Sequence, residues 1–107
     1  MVNFSLCPRY EVAFDLLGKK WTGLIIRSLL DGPKRFSDLT EIISNISAKV
    51  LADRMKELEQ LGIITRNVYP EIPVRIEYDL TDKGRDLKTS LDEIQQWAEK
   101  WIVLKSN

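Results

Sequence analysis

The 107-residue sequence contains no histidine and a single cysteine, Cys7. Without histidine the chain cannot form a Ser-His-Asp triad, a histidine general base or a histidine-ligated zinc site. One cysteine can form neither an internal disulfide nor, by itself, a metal site. The five glycines stand singly, at positions 18, 23, 32, 62 and 84, so the glycine-rich phosphate-binding motifs are absent. We therefore expect no enzyme activity, no metal and no cofactor.

Long apolar runs are also missing. The longest, such as Leu24-Ile25-Ile26, are too short to span a bilayer. The first residues lack the basic start and apolar stretch of a signal peptide. A chain that is 44% hydrophobic and 30% charged should nevertheless fold. We expect a single domain over residues 1–107, located in the cytoplasm and not bound to a membrane.

The chain has no excess of charge of either sign, with 16 basic and 16 acidic residues. A net charge of zero counts against a protein that coats nucleic acid without regard to sequence, because phosphate neutralisation supplies most non-specific affinity. The segment 34–56, however, holds five basic residues (34, 35, 49, 54, 56) against three acidic ones (38, 41, 53). This modest local excess suits a site-specific binder with few phosphate contacts.

The apolar pattern predicts two short helices at the start of the chain. The first covers 10–17 and the second 21–30, and Asp31-Gly32-Pro33 ends the second. The residues expected to face the core are Val12, Ala13, Leu16 and Leu17 in the first helix and Leu24, Ile25 and Leu29 in the second.

Residues 37–80 have the outline of a winged helix-turn-helix. Ser37 is the expected cap of a helix that carries Leu39, Ile42 and Ile43, with Arg35-Phe36 as a short strand before it. Ser47 is the expected cap of a second helix, which runs to Leu61 and stops at Gly62. Alternating apolar residues at 74, 76, 78 and 80 then predict a strand, and Ile64, Arg66 and Val68 supply a plausible partner strand, so that a β-hairpin has its tip at 70–73. The fold class is α+β and mainly helical.

A terminal helix capped by Thr81 and reaching about Leu104 is predicted to mediate dimerisation. Its apolar residues follow heptad spacing, and Trp97 widens the seam into a broad face. So small a core would hardly cover two tryptophans at the end of the chain, and exposed apolar patches usually mark an interface. The alternative is a helix that lies wholly across its own domain. The predicted homodimer residues are Phe4 of the N-terminal arm together with Leu87, Leu91, Ile94, Trp97, Ala98 and Trp101.

The candidate DNA contacts come from the second helix of the motif, the hairpin and the segment before the motif. On a helical wheel Lys49, Val50 and Asp53 lie away from the apolar face, and the first turns of a recognition helix read base edges. Ser47 could meet a phosphate through its hydroxyl or backbone N–H. Arg54 could bind a phosphate or pair with Glu57 or Asp53. Arg75 in the wing could contact the minor groove or a phosphate. Lys34 and Arg35 could contact phosphates.

The sequence resembles the HxlR-type transcriptional regulators. The motifs that carry the resemblance are Cys7-Pro8, Leu17–Trp21, Leu24–Ile26, Gly32–Leu39, Ile46–Leu51, Arg54–Glu59, Tyr78–Gly84 and Trp97, in the family's order. The resemblance implies a dimeric winged-helix protein that binds an operator in double-stranded DNA and regulates transcription without catalysis. It places the recognition helix on 47–61 and the wing on 64–80.

Cys7 occupies the position where some members of that family sense oxidants or electrophiles. A thiol just before a helix has its thiolate form favoured by the helix dipole, and Arg9 adds positive charge nearby. Cys7 could therefore be a sensor, and the alternative is that its thiol is inert. Two other functions remain open: a regulator that binds a small-molecule effector near Trp21, Trp97 or Trp101, and a winged helix that binds only protein.

Overall fold

The computed structural model describes residues 5–105. Its elements in chain order are α1 (Pro8–Leu17), α2 (Thr22–Leu29), α3 (Phe36–Ile42), α4 (Ala48–Gln60), β1 (Ile64–Tyr69), β2 (Arg75–Leu80), α5 (Asp82–Arg85) and α6 (Lys88–Trp101). The order helix, turn, helix and β-hairpin confirms the winged helix-turn-helix of mixed α and β structure. Within the described residues no helix is long and apolar enough to cross a membrane.

The helix-turn-helix is held by a cap and a buried anchor. The hydroxyl oxygen of Ser47 accepts a hydrogen bond from the backbone N–H of Val50 at 3.1 Å, as a cap residue should. Asn45, with φ of 71°, makes the turn that precedes α4, and asparagine tolerates this left-handed conformation better than most residues. Ile46 follows it into the core. Gly62, with φ of 73°, ends α4 where the sequence predicted.

The wing is an antiparallel hairpin, as predicted, but its loop is one residue longer than the expected tip at 70–73, because β2 begins at Arg75. Ile64 lies opposite Leu80, and Tyr69 lies opposite Arg75 at the tip end. The prediction of a short strand at Arg35-Phe36 is wrong, because these residues form no strand. Lys34 instead forms a single bridge to Tyr78 through two backbone hydrogen bonds of 2.9 and 2.8 Å.

The N-terminus of α3 differs from the prediction. The helix already includes Phe36 and Ser37, and its N-cap is Arg35 and not Ser37. The carboxylate of Asp38 accepts a hydrogen bond from the backbone N–H of Arg35 at 2.9 Å. This contact satisfies one donor at the helix start and explains why the helix begins earlier than Ser37.

The core lies where α2, α3 and α4 meet the base of the wing. Its buried apolar residues are Ile25, Ile26, Leu29, Leu39, Ile43, Ile46, Leu51, Met55, Leu58, Ile63, Ile64 and Leu80. Burial of this apolar surface is the main stabilising contribution to the fold.

Some residues predicted to face the core lie at the surface. In α1, Val12 is 67% exposed and Ala13 is also exposed, and only Leu16 and Leu17 pack against the core. In α2 Ile25 and Leu29 are buried as predicted, and Ile26 is buried as well, whereas Leu24 is 55% exposed. Ile42 at the end of α3 is exposed as well. A helical wheel finds an apolar face but cannot say whether its own protomer covers that face.

The predicted terminal helix is broken in two. Thr81 caps α5, as expected, by accepting a hydrogen bond from the N–H of Gly84 at 3.2 Å, but the chain turns at residues 86–87 before α6 begins. Gly84 packs closely on the wing base just before this turn, where a Cβ would collide with the carbonyl oxygen of Ile63 and lie 2.9 Å from Leu80 Cδ2. The helix ends at Trp101, so Leu104 lies beyond it.

Candidate nucleic-acid interface

The exposed face of α4 carries the candidate base-reading residues. Leu51, Met55 and Leu58 are buried on one side of the helix. Lys49, with 86% of its side chain exposed, and Asp53, with 55% exposed, lie on the other side. The structure therefore places these two predicted residues together, on the first turns of the helix.

Lys49 and Asp53 form an open ion pair. The distance from Lys49 Nζ to Asp53 Oδ2 is 3.3 Å, and both groups are well solvated. Exposed pairs of this kind contribute at most about 1 kcal/mol to stability. Both groups can therefore exchange their mutual contact for hydrogen bonds to base edges at little cost.

Val50 and Ser47 are placed differently from each other. Ser47 is exposed at the helix start, but its hydroxyl oxygen is engaged as the cap. Its hydroxyl hydrogen still has the freedom to donate to a phosphate. Val50 is half-buried and packs against the core, so only part of its side chain faces outward.

Arg54 adopts the ion-pair alternative that the sequence left open. Its side chain is 21% exposed, and its Nε donates to the carbonyl oxygen of Lys20 at 3.2 Å. Its Nη1 lies 3.6 Å from Glu57 Oε2, and Lys19 Nζ lies 2.6 Å from the other oxygen of the same carboxylate. These contacts tie α4 to the corner between α1 and α2. We call Lys19, Lys20, Arg54 and Glu57 the corner contacts.

The corner itself has an unusual backbone. Trp21 has φ of 79°, a left-handed conformation that is uncommon for a bulky residue. Its ring lies beneath Lys20 Nζ, which is 4.9 Å from the ring centroid, and it packs against the core. Such a conformation persists only where surrounding contacts determine it. Position 21 is therefore held by packing.

Arg75 is sequestered within the wing. Its Nε and Nη2 donate to the two carboxylate oxygens of Glu71 at 3.2 and 3.0 Å, and its Nη1 donates to Glu77 at 2.8 Å. The guanidinium carbon lies 4.0 Å from the centre of the Tyr69 ring. We call Tyr69, Glu71, Arg75 and Glu77 the wing cluster. Hydrogen bonding to Arg75 holds the pKa of Glu71 below its ordinary value of 4.5.

The two cations before α3 keep only local contacts. Lys34 is half-buried, and its Nζ donates to the carbonyl oxygen of Gly32 at 3.2 Å. Arg35 is exposed at the N-terminus of α3. Arg35 therefore remains a candidate for phosphate, whereas the ammonium of Lys34 would first have to leave a backbone carbonyl.

The heptad face of α6 is divided between two environments. Leu87 and Leu91 are half-buried and pack against the core of their own protomer. Ile94, Trp97 and Trp101 are 54%, 59% and 64% exposed. Ala98 is half-buried, and the predicted interface residue Phe4 lies outside the described residues.

A second apolar surface lies on α1. Tyr10 and Phe14 are 59% and 54% exposed, and their rings are 4.7 Å apart. Cys7 is the N-cap of α1 and is exposed, with its carbonyl oxygen accepting from the N–H of Glu11. The predicted sensing thiol is thus accessible and lies at one end of this apolar surface.

Two grooves border α6. One, of about 700 Å³, is lined by Leu24, Arg27, Ile42, Lys88 and Asp92 among others. Hydrogen bonds from Lys88 and then Arg27 hold the pKa of Asp92 below its ordinary value of 3.8.

The second groove, of about 340 Å³, contains Trp21, Leu91 and Ile94. Of the three tryptophans proposed to surround an effector, only Trp21 lines either groove.

Sequence reasoning missed Glu71 and Glu77 as the acidic partners of Arg75. It also missed Lys19, which shares the carboxylate of Glu57 with Arg54. The only signal for Glu71 is its spacing of four residues from Arg75 across the hairpin tip. That spacing has meaning in a helix but not in an irregular turn.

Comparisons with known proteins agree with this arrangement. The HxlR-like helix-turn-helix family model matches residues 16–106. The chain is 54% identical over 97 residues to the HTH-type transcriptional regulator YodB of Bacillus subtilis, covering 91% of this chain and 87% of YodB. It is 52% identical over 102 residues to the HTH-type transcriptional regulator YvaP of the same organism, covering 95% and 94%.

Solved structures give the same result. The reduced form of YodB superposes on this chain with a TM-score of 0.83 at 51% sequence identity. The match covers 95% of this chain and all of the YodB chain. The oxidized form of the redox regulator HypR superposes with a TM-score of 0.84 at 35% identity, covering 92% of this chain and all of that one. YodB has also been solved in a quinone-bound form, with a TM-score of 0.78 at 50% identity over 90% of this chain and all of that one. The chain therefore belongs to the HxlR-like helix-turn-helix family of transcriptional regulators.

Proposed function

We propose that the protein binds operator DNA as a homodimer, with α4 in the major groove, and that modification of Cys7 changes this binding. The observation that supports the DNA contact most directly is the exposed Lys49–Asp53 face on the first turns of a capped, well-anchored helix. Acting on DNA, the protein would work in the cytoplasm.

The two residues have complementary hydrogen-bonding roles. The ammonium of Lys49 can donate to O6 and N7 of guanine, and the carboxylate of Asp53 can accept from N4 of cytosine. The helix start at Ser47 and the exposed Arg35 would contact phosphates on either side. Arg54 has no part in this readout, because its guanidinium is held by the corner contacts.

The exposed faces of α6 and α1 support a homodimer. Ile94, Trp97 and Trp101 form an unpartnered apolar face on α6, and Tyr10 and Phe14 form one on α1. Patches of this kind on a small domain usually mark an interface. A two-fold dimer would present two copies of α4 to successive major grooves, so we expect an operator with two half-sites about one helical turn apart.

Two relatives support the sensing role. YodB has been solved in reduced, diamide-treated and quinone-bound forms, and HypR in reduced and oxidized forms. Cys7 is the only cysteine of this chain and is exposed. Addition of its thiolate to a quinone would form a C–S bond, and after proton uptake the ring would become a hydroquinone thioether. Diamide would take two electrons and two protons from two Cys7 thiols and leave an intersubunit disulfide.

A route from α1 to the recognition helix exists within one protomer. α1 carries Cys7 at its start and ends at the corner that Lys19 and Arg54 tie to α4. A displacement of α1 would therefore act on the C-terminal half of α4. It would also alter the dimer face, and so the spacing of the two recognition helices.

The DNA-binding proposal is tested by selecting genomic fragments with the purified, reduced protein at a stated salt concentration. The selected sites should contain two related half-sites. Lys49→Ala should weaken operator binding by at least tenfold, in line with about 1–3 kcal/mol for a specific base contact. Lys105→Ala removes the same charge beyond α6 and should bind as the wild type does. Equal losses in both variants would contradict the assignment of Lys49.

The sensing proposal is tested by measuring operator binding before and after diamide or a benzoquinone. The wild type should change its affinity and recover after reduction of the diamide product. Cys7→Ser, which keeps the size of the side chain without a thiol, should not respond. A response of Cys7→Ser equal to that of the wild type would exclude the thiol as sensor.

A further inference from the structure

The wing cluster gives the only cation at the wing tip two acidic partners. Three N–H groups of the Arg75 guanidinium donate to carboxylate oxygens, two to Glu71 and one to Glu77. Side-on bidentate contacts of this kind are how arginine binds a phosphate. The carboxylates thus occupy the donors that a DNA phosphate would use.

The burial of the guanidinium reinforces this arrangement. The Arg75 side chain is 27% exposed, compared with 86% for Lys49 on α4. The Tyr69 ring covers one face of the guanidinium, with 4.0 Å from its centroid to Arg75 Cζ. A phosphate would have to displace Glu71 from a stacked and doubly hydrogen-bonded partner.

The sum of charges at the tip is also unfavourable for DNA. Glu71, Arg75 and Glu77 together carry a net charge of −1 when all three are ionised. The hydrogen bond from Arg75 lowers the pKa of Glu71 and so further favours its charged form. Beyond them the tip is apolar, since Ile72 is fully exposed and Val74 is 60% exposed.

We propose that Glu71 and Glu77 act as internal phosphate mimics, which hold Arg75 away from the DNA backbone and lower the affinity for non-operator DNA. These two residues are therefore specificity determinants, although neither contacts a base. The inference rests on the proposed DNA-binding function and assigns the wing a role opposite to the one expected from its arginine.

The test compares binding of a random-sequence duplex at 50 and 200 mM KCl. In Glu71→Gln/Glu77→Gln the shapes are kept, but Arg75 is free to contact a phosphate. One added phosphate contact raises the salt slope by about 0.9, so the ratio of the two affinities should rise about 3.5-fold over the wild-type ratio. The charge-matched control Glu93→Gln/Glu99→Gln changes two exposed acids of α6, outside the wing cluster and α4, and should leave the ratio unchanged.

Arg75 itself decides the interpretation. Adding Arg75→Gln to the double variant should abolish the increase, and Arg75→Gln alone should leave non-specific affinity within about twofold of the wild type. The proposal is overturned if the increase persists without Arg75, because it would then be general charge repulsion. It is equally overturned if Arg75→Gln alone flattens the salt dependence, because Arg75 would then already contact phosphate.

The same set of proteins separates this inference from the proposed function. Operator binding that depends on Lys49, with no effect of the wing variants, would leave the DNA-binding proposal standing and remove the inference about the wing. Absence of operator binding by the reduced wild type would overturn both.

Discussion

Replacement of Trp97 by alanine should dissociate the proposed dimer without unfolding the protomer. Trp97 lies on α6 with 59% of its surface exposed, and it is not among the residues that pack on the core. Its loss should therefore leave the fold of each protomer intact. The substitution should therefore change the stability of the dimer and not that of the protomer. Leu91 would be a poorer choice, because it packs on the core of its own protomer.

The size of the effect follows from the exposed area. A tryptophan side chain offers up to about 250 Å², of which 59% is exposed here. Covering roughly 150 Å² contributes up to about 4 kcal/mol at 25 cal/mol per Å². Two-fold symmetry places two copies in one interface. Each 1.4 kcal/mol changes the dissociation constant tenfold. Even a quarter of this contribution therefore gives about fivefold for one copy, and the two copies together give more than tenfold.

Sedimentation velocity over a range of protein concentrations, with reductant present, measures the dimer dissociation constant directly. We expect Trp97→Ala to raise it at least tenfold, with an unchanged far-UV circular dichroism spectrum. Ile72→Ala removes a fully exposed apolar side chain from the wing tip and serves as the control. A dissociation constant within twofold of the wild-type value in both variants would refute the α6 interface.

Three further outcomes are expected. Gly84→Ala should destabilise the protein by about 1–3 kcal/mol in urea unfolding, because the new Cβ collides with the carbonyl oxygen of Ile63; a gain in stability, as for an ordinary helical glycine, would contradict the packing. The pKa of Asp92 is lowered, chiefly by the hydrogen bond from Lys88, so its contribution to the free energy of unfolding is present above pH 3.8 and is lost as the pH falls below it. Asp92→Asn should therefore show less acid dependence below about pH 4 than the wild type in urea titrations at several pH values. Glu57→Gln should keep operator binding in the reduced state but diminish the change that diamide causes, and an undiminished response would exclude the corner contacts as the route.

The fold was predictable because periodicity and turn residues agreed along the middle of the chain. Ser47 caps α4 and Gly62 ends it, as predicted, and the two predicted strands form an antiparallel hairpin. Each of these features depends on residues close together in sequence. Local signals of this kind suffice when they do not conflict with one another.

The environment of the apolar helix faces was not predictable in the same way. Leu91 and Ile94 stand on one seam and three residues apart, yet one packs on its own core and the other is exposed. The turn between α5 and α6 was likewise not predicted; it follows Gly84, which packs against Ile63 at the base of the wing. That contact joins residues some 20 positions apart and leaves no local trace in the sequence.

The contacts of Arg54 and Arg75 were also not predictable from the sequence alone, and they bear on how the protein could bind DNA selectively. Arg54 and Arg75 looked like phosphate ligands by position, and the structure gives both of them carboxylate partners. Lys49 keeps only an open pair on the exposed face of α4. The pairing of Arg54 and Arg75 therefore leaves fewer cations on α4 and the wing that could bind DNA of any sequence. On this reasoning the contrast between operator and random DNA should depend more on base contacts than on salt, and the wing cluster should increase that contrast.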